Sequence, residues 1–110
     1  MTEILINLDG TMAPRTDKSL LELISLVGKW PLNAICCTQE RDGEIVWWDV
    51  PAMCVLEARN ADYQLSGLLP HIGFKHLVHQ DYYLVSEQEV VADDWETAVI
   101  TYEQYKDMTQ

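Results

Sequence analysis

Positive charge is scarce in this sequence: seven Lys and Arg face 18 Asp and Glu across 110 residues, for a formal net charge of −11. A surface of that sign repels nucleic-acid phosphates and anionic lipid headgroups, so neither direct nucleic-acid binding nor membrane binding is expected. Long apolar runs are missing as well. None approaches the ~20 residues a bilayer span needs, and Met1-Thr-Glu-Ile-Leu5 lacks the basic start of a secretory signal. Cysteine is limited to Cys36, Cys37 and Cys54, with no C-x-x-C spacing. Neighbouring residues of a strand point to opposite faces, so Cys36 and Cys37 do not easily bridge each other. The expectation is three reduced thiols in a cytoplasmic protein, with no disulfide framework, no metal site and no cofactor.

What is present suffices for one folded unit. Hydrophobic residues make up 48% of the chain and charged residues 23%, an ordinary globular balance. Residues 1–110 therefore read as a single acidic α+β domain. Its architecture is expected to be a sheet of roughly three to five strands, mixed or antiparallel, with two or three helices.

Glu3 to Leu8 reads as a first strand, broken by Asp9-Gly10, with Pro14 keeping the next residues irregular. Ser19-Leu-Leu-Glu22 has the form of a capping box, and Leu20, Leu23, Ile24, Val27 and Trp30 recur at helical spacing until Gly28 and Pro31 supply a stop. Asn33 to Thr38 looks like a short strand buried on both faces. Asp42-Gly43 then separates it from Glu44–Val50, which predicts an antiparallel hairpin of Ala34–Glu40 with Glu44–Val50, because Gly tolerates the positive φ of a tight primed turn. Trp47 and Trp48 must then face opposite sides of the sheet, and at least one should meet solvent, a helix or a partner.

Further along, Asp49 is a candidate cap for a helix with Pro51 in its first turn, running through Met53, Leu56 and Glu57. Asn60-Ala-Asp62 would open a second short helix through Tyr63, Leu65 and Leu68, ended by Pro70 and Gly73. His76 to Val85 is a strand candidate on its β-propensity. The tail has two readings. Asp93-Asp-Trp-Glu96 would cap a helix striped by Trp95, Val99, Tyr102 and Tyr105, or Thr97–Ile100 would be a strand with Thr101-x-x-Gln104 capping a last helical turn. The β-rich Thr-Ala-Val-Ile-Thr favours the second.

Ile4-Leu-Ile-Asn-Leu-Asp-Gly-Thr-Met12 resembles the first motif of the haloacid dehalogenase-like phosphatases, a strand ending in Asp-x-Asp-Gly-Thr. Asn7 stands where that family has its nucleophilic Asp, while Asp9, Gly10 and Thr11 match. Ile35-Cys-Cys-Thr38 is similar to the family's second motif, a strand ending in a phosphate-binding Thr. The resemblance covers at most the first 40 residues. An amide cannot form an acyl-phosphate, so it implies a degenerate scaffold without the activity, with Asp9 and Thr38 at its site.

His71, His76 and His79 lie close together, with Asp81 behind them, but no pair has the i,i+4 spacing of a zinc-binding helix. They are expected to be partly exposed surface histidines. No spacing supports a Ser, Cys or Thr nucleophile beside a histidine base, so no catalytic residue is assigned.

Charge distribution is the strongest signal. From Asp81 to Gln110, eight acids accompany the single base Lys106, so the last thirty residues carry −7 of the −11. Tyr82, Tyr83, Trp95, Tyr102 and Tyr105 are interleaved with those acids. Rings supply buried area at low entropy cost, and carboxylates steer the encounter with a basic surface. The expected partner-binding residues are Glu87, Glu89, Asp93, Asp94 and Glu96, with Trp95 as the aromatic anchor. The expected function is non-catalytic: binding and inhibiting a basic, nucleic-acid-handling protein or nucleoprotein complex. Phage or mobile-element anti-defence inhibitors, nucleic-acid mimics and immunity proteins against nuclease toxins are of this kind. Two alternatives stand beside it: the degenerate phosphatase scaffold, and a self-associating structural or assembly protein, a homodimer for instance, with Trp47 or Trp48 on the contact face.

Overall fold

Two tryptophans adjacent in sequence set the architecture. Trp47 and Trp48 lie on one strand, point to opposite faces of a sheet, and are both fully buried, so both faces must be covered. The computed structural model describes residues 12–62 and 67–109 of the chain. Its elements in order are α1 (Leu20–Val27), β1 (Cys36–Gln39), β2 (Glu44–Trp48), α2 (Ala52–Ala61), the single turn α3 (Leu69–Ile72), a 3-10 turn (Phe74–His76), β3 (Leu77–Tyr82), β4 (Leu84–Val85), β5 (Gln88–Glu89), β6 (Ile100–Thr101) and α4 (Tyr102–Thr109). The four-stranded sheet is antiparallel throughout, in the order β3-β2-β1-β6, and β4 and β5 form a separate two-stranded ribbon. This is the expected α+β fold; among the described residues the helix count reaches four because Leu69–Ile72 forms a turn of its own.

The sheet is the middle of three layers. On one face Cys37, Ile45, Trp47 and Ile100 pack with Leu20, Leu23 and Ile24 of α1, and with Val91, Ala92 and Trp95. Tyr105 of α4 packs against this cluster. On the other face Cys36, Val46 and Trp48 pack with Val55 of α2 and with Leu68, with Ile72 of α3 beside them. Alternation along β1 and β2 thus feeds two cores rather than one core and a wet face. Because neither tryptophan reaches solvent, the expectation of a self-association face built on Trp47 or Trp48 is overturned.

Helix α1 starts as its capping box dictates. Ser19 Oγ accepts the Glu22 N–H at 3.1 Å, and Glu22 Oε1 accepts the Ser19 N–H at 2.8 Å. Gly28 ends it in the left-handed region at φ 73°. The hairpin pairs Cys36 with Trp48 through Gln39 with Ile45. Its loop differs from the expected two-residue primed turn. Gly43 N–H donates to Glu40 O and Glu40 N–H to Glu44 O, and Gly43 alone in the loop has positive φ, at 99°. That is a three-residue loop in which Gly occupies the left-handed bulge position. A Cβ on Gly43 would stand 3.1 Å from both the Glu89 Cβ and the Val90 oxygen, so the ribbon also packs against this turn.

Other expectations shift with tertiary context. Asp49 does not cap α2: its N–H donates to His76 O at 3.0 Å and its Oδ1 lies 2.9 Å from His76 Nδ1, leaving Pro51 at the cap position. The buried face of α2 is Val55 and Arg59, while Met53 and Leu56 face solvent. Pro70 sits inside the first turn of α3 rather than ending a helix, and Gly73 follows its end. The expected strand from His76 to Val85 is interrupted at Tyr83, giving β3 and β4. In the tail the second reading holds in its order but not its bounds: the strand is Ile100–Thr101 rather than Thr97–Ile100, because residues 93–97 form a turn, and α4 follows, where Thr101 and Gln104 bond reciprocally. The expected first strand Glu3–Leu8 and the segment with Tyr63 and Leu65 lie outside the described residues.

Candidate functional site

Acidic side chains converge where the β1–β2 loop, the end of β3 and the ribbon meet. Glu44 stands directly opposite Tyr82 across the β2–β3 pair. The Tyr82 hydroxyl donates to Asp42 Oδ2 at 3.5 Å, Asp42 Oδ1 accepts the Glu44 N–H at 3.0 Å, and Gln80 Nε2 donates to Glu44 Oε2 at 2.6 Å. Glu89 reaches the same place through the contact of its Cβ with Gly43. The Tyr82 phenol is pushed up to about 12, first by burial and then by the negative charges of Asp42, Glu44 and Glu89. Glu44 is raised by burial, Asp42 and Glu40 together. Glu40 is raised chiefly by burial, although the Leu68 N–H and the Arg59 guanidinium pull it the other way. Burial is the largest cause of all three shifts, and the neighbouring carboxylates add to it.

The ribbon adds to this end. Leu84 pairs with Glu89 and Val85 with Gln88, so Ser86 and Glu87 form a two-residue turn, both with positive φ (52° and 69°). Left-handed backbone at two successive non-glycine residues is the geometry of a type I′ hairpin turn, and it carries strain of order 1 kcal/mol per residue. Glu87 is thereby held at the exposed tip, with Leu84 and Val85 exposed beside it.

The six residues expected from the sequence thus separate into two groups. Glu87 and Glu89 belong to the acidic end. Asp93, Asp94 and Glu96 lie in the turn of residues 93–97, against the start of α1. Asp94 Oδ1 accepts the Leu20 N–H at 2.8 Å, an acid at a helix N-terminus where the free amides and the dipole favour it. Arg15 Nη1 donates to Asp93 O at 2.6 Å and Arg15 Nη2 lies 3.5 Å from Glu96. This second group is tied to the fold and partly neutralised.

Trp95 is a correction. It is 1% exposed, its indole N–H donates to Met12 Sδ at 3.1 Å, and the Arg59 guanidinium lies 5.8 Å from its ring centre. A large indole in an acidic stretch was needed by the core under α1, so it is not a surface anchor. The partly exposed ring among carboxylates is instead Tyr82, which the sequence did not single out as an anchor. The signal that could have located it was Glu40-Arg-Asp-Gly-Glu44, three acids at a hairpin tip.

The remaining candidates find structural roles. Asn7, Asp9, Gly10 and Thr11 lie outside the described residues. Thr38 lies within β1, wholly buried, and accepts the Trp48 indole N–H at 3.0 Å, where the phosphatase resemblance implies an accessible strand end. His76 is bound to Asp49, and His79 packs at a tilt against Trp47 with Lys29 Nζ 3.3 Å from its Nε2. No group of three or more His, Cys, Asp or Glu among the described residues is arranged to hold a metal ion. Cys36 and Cys37 are buried with their thiols pushed up by that burial, and Cys54 is exposed. No helix among the described residues is long and apolar enough to cross a membrane. The chain matches no protein-family model, and comparison with curated proteins and with solved structures likewise returns no match.

Proposed function

We propose that this chain is a non-catalytic cytoplasmic binding protein whose acidic end docks on a basic, nucleic-acid-handling protein or nucleoprotein complex and blocks it. The observation that supports this reading best is the convergence of Asp42, Glu44 and Glu89 on Tyr82. Carboxylates gathered against an aromatic ring, beside the exposed Leu84 and Val85, combine long-range attraction for a cationic surface with apolar area for the contact itself. The overall charge of −11 extends that attraction and disfavours nucleic acid as a direct ligand. Inhibition of the anti-defence or toxin-immunity kind, by occupying a groove shaped for phosphates, follows from the same chemistry as an association by size and charge.

Affinity capture at increasing salt tests the proposal. The wild-type chain should retain a basic nucleic-acid-handling protein at low ionic strength and release it as salt screens the charges. Joint replacement Asp42→Lys, Glu44→Lys and Glu89→Lys should abolish retention, while Asp93→Lys leaves it largely intact. Retention unaffected by salt and by the triple reversal would overturn the reading.

A further inference from the structure

A separate groove lies between the turn before β1 and the first turn of α4. It is an open depression of about 430 Å³ lined by Trp30, Pro31, Leu32, Ile35, Tyr102 and Glu103, among others. Its size falls in the range of small-ligand and side-chain pockets. Three hydrogen bonds fix its walls. Ala34 N–H donates to Pro31 O at 3.2 Å, the Trp30 indole N–H donates to Ala34 O at 2.9 Å, and Tyr102 N–H donates to Ile35 O at 3.3 Å. Asn33 turns the chain with a φ of 74°, which leaves Leu32 projecting at 87% exposure. Trp30 is buttressed by Tyr102 and Tyr105, with ring centres 5.8 and 5.4 Å away. A groove held this way loses little freedom when something enters it.

Its chemistry is that of a cation receptor. Two aromatic rings and the Glu103 carboxylate line it, and no basic residue does. Lys29, next to Trp30 in sequence, is held by Asp81 at 2.8 Å, and no ion pair among the described residues engages Glu103. We propose that this groove receives an arginine side chain from a basic partner polypeptide. The guanidinium would stack on the Trp30 and Tyr102 rings and pair with Glu103, and its aliphatic stem would lie along Leu32 and Ile35. A planar guanidinium suits ring faces and a carboxylate together better than an ammonium does. The arginine comes from another protein rather than from a second copy, because this chain's own three are engaged. Arg15 binds Asp93 and Glu96, Arg59 donates to Gln39 O, and Arg41 has a partner of its own. The groove lies apart from the acidic end, so this inference goes beyond the function proposed above.

The test is a residue-resolved NMR titration of the full chain with a short arginine-containing peptide and with the same peptide carrying neutral citrulline instead. The arginine peptide should shift the Trp30 indole N–H and the Tyr102 and Glu103 amides saturably, and the citrulline peptide should not. Glu103→Gln, at an exposed position, should weaken binding about threefold or more, the scale of an exposed ion pair. Tyr102→Leu should weaken it as well, with the dispersion of the core resonances confirming that both variants are folded. Equal response to both peptides, or undiminished affinity in Glu103→Gln, overturns the inference. So does a titration in which Asp42, Glu44 and Glu89 shift while the groove stays silent, an outcome that leaves the acidic-end proposal standing.

Discussion

The Gln39 side chain joins three segments of this molecule. It is fully buried at the end of β1, donates through Nε2 to Gly43 O and Val90 O at 3.0 Å each, and accepts the Ala92 N–H at 2.7 Å through Oε1. One amide thereby closes the hairpin loop and fastens the segment that leads to Trp95. Arg59 caps the same place from α2: its Nη2 donates to Gln39 O at 2.9 Å, while its Nε and Nη1 are buried without hydrogen-bond partners. Burial lowers the Arg59 pKa, with Glu40, Asp62 and Glu96 opposing the shift. Gln39→Leu keeps the volume and strands two carbonyls and an amide, so it should cost about 2–4 kcal/mol. Urea unfolding of the variant checks this, and a loss below about 0.5 kcal/mol would refute the strut role. Nothing in the sequence marked either residue, because a glutamine at a strand end beside charged residues and an arginine on a helix are unremarkable until their partners, up to 53 positions away, are placed.

At the scale of elements, local chemistry decided helix starts wherever the capping partners are near in sequence. Ser19 with Glu22, and Thr101 with Gln104, made the bonds their spacing predicts. Ser19→Ala should therefore destabilise the protein by about 1 kcal/mol, with Ser19→Asp restoring most of it; thermal unfolding reads both. Where a distant group competes, the local reading failed. Asp49 lies two residues before the Pro51 cap position of α2 and is held instead by His76 of the 3-10 turn. The solvent-facing Met53 and Leu56 show the same thing for periodicity, since α2 has a weak apolar pattern and its neighbours selected Val55 and Arg59. The ribbon turn at Ser86-Glu87 escaped the sequence reading for another reason. Asn-Gly or Asp-Gly normally marks a primed turn, and here two ordinary residues adopt it.

For the whole molecule the dominant quantity is negative charge. Glu40 and Glu44 have folded pKa values raised above 4.5, so folding favours their protonated forms. Their contribution to stability is greatest below 4.5 and is lost as pH rises through their folded values. Asp81 works in the opposite sense. The Lys29 hydrogen bond lowers its pKa below 3.8, so its contribution is present above 3.8 and lost only as pH falls through the lowered value. As pH falls from neutral towards 4.5, acidification should therefore raise the urea midpoint, and Glu40→Gln with Glu44→Gln should flatten that slope. A midpoint that falls over this window in the wild type, or a slope the double variant leaves unchanged, would contradict the placement of those carboxyls.

The sequence by itself determined the α+β class, the first helix with both ends, the Asp-Gly hairpin, the strand-then-helix tail and the strongly acidic character. Each depends on residues within a few positions of one another or on composition alone. Tertiary structure decided the rest: that both tryptophans of β2 are interior, that Trp95 is core, and that Glu89 joins Asp42 and Glu44 around Tyr82 while Asp94 caps α1. Alternation along a strand says that neighbouring side chains diverge, but only the layers packed on each side say whether a side chain meets water or another side chain.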